Sequence, residues 1–258
     1  MPLLEAIRQH RSIRKYRPDP VPESLLTELL ETGLRASSSG NMQAFSVVVT
    51  TDPELKQQLY GPHMNQPMVL EAPVLLTFCA DFRRMRRWLA LSNAPDSFDN
   101  FMSFMTAAID AVLVSQNVAL AAEARGLGIC YMGSTLANCH QIGPILRLPR
   151  GVVPVVGFSL GYPDEAPALR DRLPLDGLVH REFYHEDSDE RVLEVYTERE
   201  VKGWDRYMSF PHLRKMIEES GVENLAQVYS SLKYTRASFQ EFSRNILGYL
   251  EAQDFMNQ

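Results

Sequence analysis

The amino-acid sequence predicts an α+β fold: a mixed sheet of about four strands surrounded by helices, with a long central helix and a C-terminal helical extension. Four short apolar stretches have the composition of strands, and segments with apolar residues at helical spacing separate them. The chain of 258 residues is 45% hydrophobic and 22% charged, which is ordinary for a globular protein with a large core. This composition favours one domain with extensions over two full domains.

The elements of the first half follow from local composition. Residues 2–9 carry leucine and isoleucine at helical spacing, and residues 22–36 form a clearer amphipathic helix that begins with a proline. The segment AFSVVVTT at 44–51 is rich in β-branched residues and predicts a strand. Asp52 then caps a further helix. The segment PVLLTFCA at 73–80 predicts a buried strand.

The longest predicted helix covers about residues 97–125, a stretch without Gly or Pro that Gly126 ends. Its apolar side chains lie on most sides of the helix, which indicates burial against several neighbours. Asp110, Gln116 and Asn117 interrupt the apolar run, so we do not expect it to span a membrane.

The remaining segments complete the sheet and add a tail. The sequence predicts a strand at 128–133, a helix at about 135–147 and a strand at 152–161. We expect residues 1–174 to form the core, and residues 175–258 to form a helical extension with too little apolar surface for a domain of its own. Such a tail would lie across the main body or a partner chain.

Charge and cysteine content exclude several classes of function. The net charge of −6 argues against a nucleic-acid binder, and the basic run Arg83–Arg87 is interpreted as a solvated helix face. Cys79, Cys130 and Cys139 have no zinc-ligand spacing, so we expect reduced thiols in a cytoplasmic protein and no metal site. The start of the sequence lacks the apolar run of a signal peptide.

The common catalytic and nucleotide-binding motifs are absent. The glycines of GLGICYMG do not fit G-x-G-x-x-G, and the sequence contains neither a P-loop nor a G-x-S-x-G elbow. Tyr229 and Lys233 have the Y-x-x-x-K spacing of some dehydrogenases, but a chain with ten tyrosines produces such a pair by chance.

The stretch HRSIRKYRP at His10–Pro18 concentrates positive charge in an acidic chain. Arg11, Arg14, Lys15 and Arg17 surround Ser12. A solvated basic loop is one interpretation. The other is a site for a small anion, in which guanidinium, imidazole and hydroxyl groups converge on phosphate oxygens.

Other polar groups lie where predicted elements meet. Ser38 and Gly40 lie between a helix and a strand, Gln66 lies in a connection, and two arginines lie in ALRDRLP. YMGS at 131–134 ends a strand and begins a helix, where free backbone N–H groups can face an electron-rich ligand.

Taken together, these motifs resemble a known family. Five occur in the expected order: HRSIRKYRPDPVP, RASSSGNMQ, FCADF, GLGICYMGS and LGYPDEAPALRDRLP. The chain resembles the nitroreductase family of FMN-dependent NAD(P)H oxidoreductases, in particular its branch of oxygen-insensitive NADPH nitroreductases and flavin reductases. The resemblance covers the whole chain, most strongly residues 3–174, and it favours the anion site over the solvated loop.

The resemblance implies a set of residues at the FMN phosphate. His10, Arg11 and Ser12 would contact the phosphate and the ribityl chain. Arg170 and Arg172 would close on the phosphate from the other side. Several cations suit a dianionic phosphate.

The resemblance also implies contacts with the flavin ring. Arg14 would lie toward the N1/C2=O edge, and Ser38, the backbone near Gly40, and Gln66 would hold the ribityl or pyrimidine side. The backbone beside the isoalloxazine, with one amide donating toward N5, would be that of Tyr131, Met132, Gly133 and Ser134. The branch usually has Gly-Gly where this chain has Gly133-Ser134, which leaves the role of Ser134 open.

The implied chemistry needs no catalytic side chain, because hydride moves directly between the nicotinamide and flavin N5. NADPH, or NADH as the alternative, would reduce FMN, and a nitroaromatic, quinone or flavin would then take the electrons in a ping-pong mechanism. Lys233 or Arg236 would bind the 2′-phosphate of NADPH; a solvated basic loop is the alternative for that pair.

The resemblance further implies a homodimer with FMN sites at the subunit interface, small-molecule acceptors, and no nucleic-acid, membrane or metal partner. The alternatives are a dedicated NADPH-flavin reductase, a relative with a specialised oxidation, a non-catalytic FMN-binding protein, and a structural dimer without flavin.

Overall fold

Four strands form one sheet in the computed structural model, which describes residues 2–257. The strands are β1 (Phe45–Thr50), β2 (Val74–Asp81), β3 (Gly128–Tyr131) and β4 (Val152–Gly161). Their order is β1-β2-β4-β3, and all three pairings are antiparallel. All eight residues of β2 are buried, because β2 lies inside the sheet and helices cover it. The predicted α+β class and the four strands are confirmed.

Twelve α-helices surround or follow this sheet in the described part of the chain. The helices that accompany the sheet are α1 (Leu3–Arg8), α2 (Glu23–Gly33), α3 (Pro53–Tyr60), α4 (Met68–Glu71), α5 (Arg83–Leu91), α6 (Phe101–Ala124), α7 (Ser134–Ala137) and α8 (Cys139–Ile145). The helices that follow it are α9 (Asp189–Ser209), α10 (Pro211–Ser220), α11 (Leu225–Gln227) and α12 (Arg236–Ala252). The single helix predicted at 135–147 is divided into α7 and α8 at Asn138.

The central helix α6 begins where the side chain of Asn100 accepts a hydrogen bond from the backbone N–H of Ser103. It ends before Gly126, whose φ of 80° suits glycine. By length and composition alone, α6 could cross a membrane. It packs instead against α2 and the sheet, and it carries buried polar residues such as Asp110. We therefore interpret α6 as the core helix of this fold.

The chain divides into two units. The first contains the residues up to 168 together with those from 242 onward, and the second contains residues 169–241. The sequence predicted one uninterrupted extension over 175–258. In the structure, the end of the chain belongs to the first unit, because Tyr249, Leu250 and Phe255 are buried in a cluster with core residues such as Phe82.

The second unit has a small apolar cluster of its own. Its buried members are Tyr207, Ile217, Leu225 and Val228. Arg199 pairs with Asp171 at 3.1 Å and fixes the start of the unit to α9. These helices bury more apolar surface among themselves than the sequence suggested, although Leu193 and Val201 remain well exposed.

Candidate functional site

The basic segment after α1 is docked against the edge of the sheet. Ser12 forms an isolated parallel bridge with Ile129 of β3, and the N–H of Ile13 donates to the carbonyl of Ile129 at 2.9 Å. Further along, the N–H of Arg17 donates to the carbonyl of Tyr162 just after β4. The segment therefore runs as an extended strand-like stretch beside the site, and it is not a free loop.

Two features hold this segment in place. Gly128 allows the close approach, because a Cβ there would lie 2.6 Å from a side-chain carbon of Ile13. The buried hydroxyl of Tyr16 donates to the carbonyl of Ile13 at 2.6 Å and lies 2.8 Å from Ser159 Oγ. Burial raises the pKa of Tyr16 well above its ordinary value, so this anchor stays neutral.

The basic side chains of the segment make different contacts. His10 Nδ1 lies 2.6 Å from a carboxylate oxygen of Glu123. The guanidinium of Arg14 is exposed apart from a contact of 3.4 Å with the carbonyl of Ser12. Arg11 has a buried Nε with no hydrogen-bond acceptor anywhere in residues 2–257. A buried guanidinium N–H without an acceptor indicates a site for an anionic or acceptor ligand.

The serine-rich loop between α2 and β1 is held by one buried carboxylate. Asp110 of α6 accepts from the N–H of Ser39 at 2.9 Å and from the N–H of Ala44 at 3.3 Å. Three residues of this loop have a left-handed backbone: Gly40, Asn41 and Gln43, with φ of 56°, 55° and 52°. Asp110 thus holds the loop at Ser39, between the expected contacts Ser38 and Gly40, and again at Ala44 just before β1.

Gln66 lies at the end of a tight turn that follows α3. Met64 and Asn65 have φ of 58° and 53°, and the side-chain amide of Gln66 donates to the carbonyl of His63 at 3.0 Å. His63 is buried, and its Nδ1 lies 2.9 Å from Ser134 Oγ. This contact places the turn beside the end of β3.

The end of β3 presents backbone donors. The N–H of Met132 donates to the carbonyl of Gly157 at 2.9 Å. The N–H groups of Gly133 and Ser134 have no acceptor among the residues that the structure describes. The Tyr131 side chain turns to α6, where its hydroxyl lies 3.1 Å from Ser115 Oγ. Of the backbone expected beside a ligand, Gly133 and Ser134 carry the N–H groups that remain open.

The structure therefore joins three of the expected motifs around β3. Ser12 lies beside its middle, residues 131–134 form its end, and the Gln66 turn is bonded to that end through His63. The serine-rich loop is attached to α6 through Asp110. His63, Glu123 and the role of Asp110 were not predicted from the sequence. Only Asp110 had a visible signal, as a charge within an apolar helix.

The remaining expected residues lie in the second unit. Arg172 donates to the carbonyl of Asp171 at 3.0 Å. Arg170, its neighbour in ALRDRLP, belongs to the same basic element. Lys233 donates to the hydroxyl of Tyr207 at 2.7 Å and lies 4.7 Å from the centre of that ring.

The backbone around the two candidate 2′-phosphate residues differs from the predicted loop. Lys233 ends a π-helical turn, Val228–Lys233, and α12 begins at Arg236. A connection of two residues separates these elements. The pair is therefore more constrained than the sequence indicated.

The open donors of Arg11, Gly133 and Ser134 suit a ligand that has an anionic part and several hydrogen-bond acceptors. The family model described as the nitroreductase family matches residues 7–162. The chain belongs to the nitroreductase family, and it is an enzyme of the oxidoreductase class. The predicted family and enzyme class are confirmed.

Individual relatives agree with this assignment. The FMN reductase (NAD(P)H) of Bacillus subtilis strain 168 is 30% identical over 245 residues, which cover 86% of this chain and 98% of that protein. A Bacteroides fragilis protein with a known crystal structure is 43% identical in sequence to this chain. The two structures match with a TM-score of 0.90 over 98% of this chain and 100% of that one. A nitroreductase structure from B. subtilis is 26% identical with a TM-score of 0.85, covering 98% of each chain.

Proposed function

We propose that this enzyme transfers hydride from NAD(P)H through bound FMN to nitroaromatics, quinones or free flavins. FMN and NAD(P)H are its cofactors: relatives in the same family are named FMN reductase and NADPH-dependent oxidoreductase. The observation that carries the proposal is the set of open donors around β3, namely Arg11 Nε and the N–H groups of Gly133 and Ser134.

The residues present fit FMN. The buried Nε of Arg11 can donate to a phosphate oxygen, with Ser12 and the imidazole of His10 beside it. Ser38, Gly40 and Gln66 would hold the ribityl and pyrimidine side. Since the amide of Gln66 donates to the carbonyl of His63, its Oε1 remains as the acceptor for a ring N–H. Arg170 and Arg172 would complete the phosphate site.

The chain acts mainly by binding and orientation. When bound, FMN supplies the N5 position that accepts hydride and passes electrons on, so that donor and acceptor use one pocket in turn. One of the two open amides, of Gly133 or Ser134, would donate toward N5, and the guanidinium of Arg14 would favour negative charge at the N1/C2=O edge. Lys233 or Arg236 would contact the 2′-phosphate of NADPH. No side chain needs to carry a proton in the hydride step.

We also propose a homodimer that acts in the cytoplasm. The helix α6 and its neighbour α1 leave many large apolar side chains exposed: Leu3, Leu4, Ile7, Met102, Ile109, Val112 and Leu113. Such a patch is typical of an interface between subunits. The exposed apolar residues of α9 suit a tail that wraps over the partner subunit. Light scattering that gives a mass of one 29.3 kDa chain for the FMN-loaded protein would contradict the dimer.

An absorption spectrum before and after anaerobic addition of NADPH tests the function. A yellow protein that NADPH bleaches supports an enzyme. Yellow protein that stays yellow would indicate a flavin-binding protein without turnover, and colourless protein with no affinity for FMN would indicate a structural dimer. Reoxidation of the bleached protein by a nitroaromatic, a quinone or free FMN then separates a broad reductase from a dedicated flavin reductase.

A further inference from the structure

A buried polar pair links two walls of the candidate site. His63 is 1% exposed and Ser134 is 4% exposed, and Nδ1 of the imidazole lies 2.9 Å from the serine oxygen. Burial lowers the pKa of His63 to about 4, so the imidazole is neutral near neutral pH and the two side chains share one N–H···O or O–H···N bond. Buried polar groups remain in a core when they are paired in this way.

A second contact fixes the same two segments. Ser134 is the first residue of α7, and Asn138 follows its last residue. The side-chain amide of Asn138 donates to the carbonyl of Pro62 at 2.6 Å. Both ends of α7 are thus bonded to adjacent residues, Pro62 and His63, of the turn that leads to Gln66.

The turn itself needs such support. Met64 and Asn65 both have a left-handed backbone, and for Met64 this conformation costs about 1–2 kcal/mol. Gln66 is then aimed by its bond to the carbonyl of His63. A continuous series of contacts therefore runs from the open N–H groups of Gly133 and Ser134 through His63 to Gln66.

We propose that Ser134 and His63 form a positioning pair, which fixes the backbone donors at Gly133 and Ser134 relative to Gln66 and so sets how tightly the site holds the flavin ring. The inference rests on the proposed function. It also gives a reason for the departure from the Gly-Gly of the branch, because a glycine at 134 has no side-chain oxygen to bond His63. His63 acts through its neighbours and needs no contact with FMN.

Ser134→Gly is the most direct test, because it restores the residue usual in the branch and removes only the hydroxymethyl group. His63→Leu removes the other partner. His63→Asn keeps a hydrogen-bonding group near the position of Nδ1 and is the conservative control. The four full-length proteins, including the parent, are compared by fluorescence titration with FMN and by the midpoint potential of the bound flavin. Thermal unfolding checks that each one folds.

We expect Ser134→Gly and His63→Leu each to raise the Kd for FMN by about 2- to 12-fold, the range for loss of one hydrogen bond. Both substitutions should also shift the midpoint potential of the bound flavin, because the backbone amides of Gly133 and Ser134 would move relative to N5. His63→Asn should restore both values, and the double variant should be no worse than the poorer single variant. The pairing would be overturned if the Kd and the midpoint potential were unchanged in both single variants. It would also be overturned if the two effects added in the double variant. A parent protein that binds no FMN would refute the proposed function itself, and this inference with it.

Discussion

The buried imidazole of His63 makes a quantitative prediction about acid stability. An unperturbed histidine has a pKa near 6.5, and burial lowers that of His63 to about 4. The unfolded chain therefore takes up this proton more readily than the folded chain does. A histidine whose pKa is lowered in the folded state contributes its full stabilisation above the pKa of the unfolded state. This stabilisation is lost as the pH falls toward the pKa of the folded state.

The magnitude follows from the two pKa values. A difference of about 2.5 units corresponds to at most about 3.4 kcal/mol. Between about pH 7.5 and about pH 4.5, linkage predicts that His63 alone removes about 2.5 kcal/mol from the free energy of unfolding. Other groups that titrate in this range act equally on a variant that lacks only this imidazole, so the difference between the two proteins isolates His63.

The assay is urea unfolding of the parent and of His63→Asn at several pH values and one protein concentration. Asparagine can still bond Ser134 but does not titrate. We expect the stability advantage of the parent over the variant to fall by about 2.5 kcal/mol between about pH 7.5 and about pH 4.5. The matched control is His212→Asn, the same substitution at an exposed histidine. Parallel profiles for the parent and His63→Asn would refute the assignment of a buried neutral imidazole.

Three further predictions concern the candidate site. Asp110→Asn leaves the serine-rich loop with one acceptor fewer and should lower the free energy of unfolding by about 1.5–3 kcal/mol. Urea titration measures this loss, and an unchanged midpoint would contradict the role of this carboxylate. Arg172→Ala should weaken FMN binding by about 1.5–3 kcal/mol in a fluorescence titration; equal affinity would remove Arg172 from the phosphate site. The double change Lys233→Ala with Arg236→Ala should raise the KM for NADPH by about 5- to 150-fold and leave that for NADH nearly unaltered. An equal effect on both coenzymes would argue for general positioning.

Much of the fold could be predicted because its signals are local. Strands β1 and β4 are rich in β-branched residues, and β2 is a short apolar run. Helix α6 is bounded by an Asn cap and a glycine within a few residues of the predicted ends. The division of the helix at 135–147 was missed, because Asn138 bonds to the distant Pro62 and no local pattern shows that contact.

The site was predictable only in part, because contacts between distant parts of the chain leave no local sequence pattern. The basic segment, the serine-rich loop and residues 131–134 are recognisable as motifs, and the structure joins two of them through β3. The acidic side chains that bond to these motifs were not recognisable in the sequence. Glu123 meets His10, and Asp110 meets Ser39, across long separations in the chain, so these partners become visible only after folding.

The carboxylate that organises the serine-rich loop has a consequence for biosynthesis. The stretch Phe101–Ala124 leaves the ribosome as a segment long and apolar enough to resemble a membrane anchor. A single aspartate near the centre of such a segment adds about 2.5–3.5 kcal/mol to its cost of insertion into a bilayer. Asp110, the tenth residue of this helix, lies near that centre. The side chain that holds a loop in the folded protein therefore also disfavours insertion of the nascent segment into a bilayer, before any tertiary contact exists.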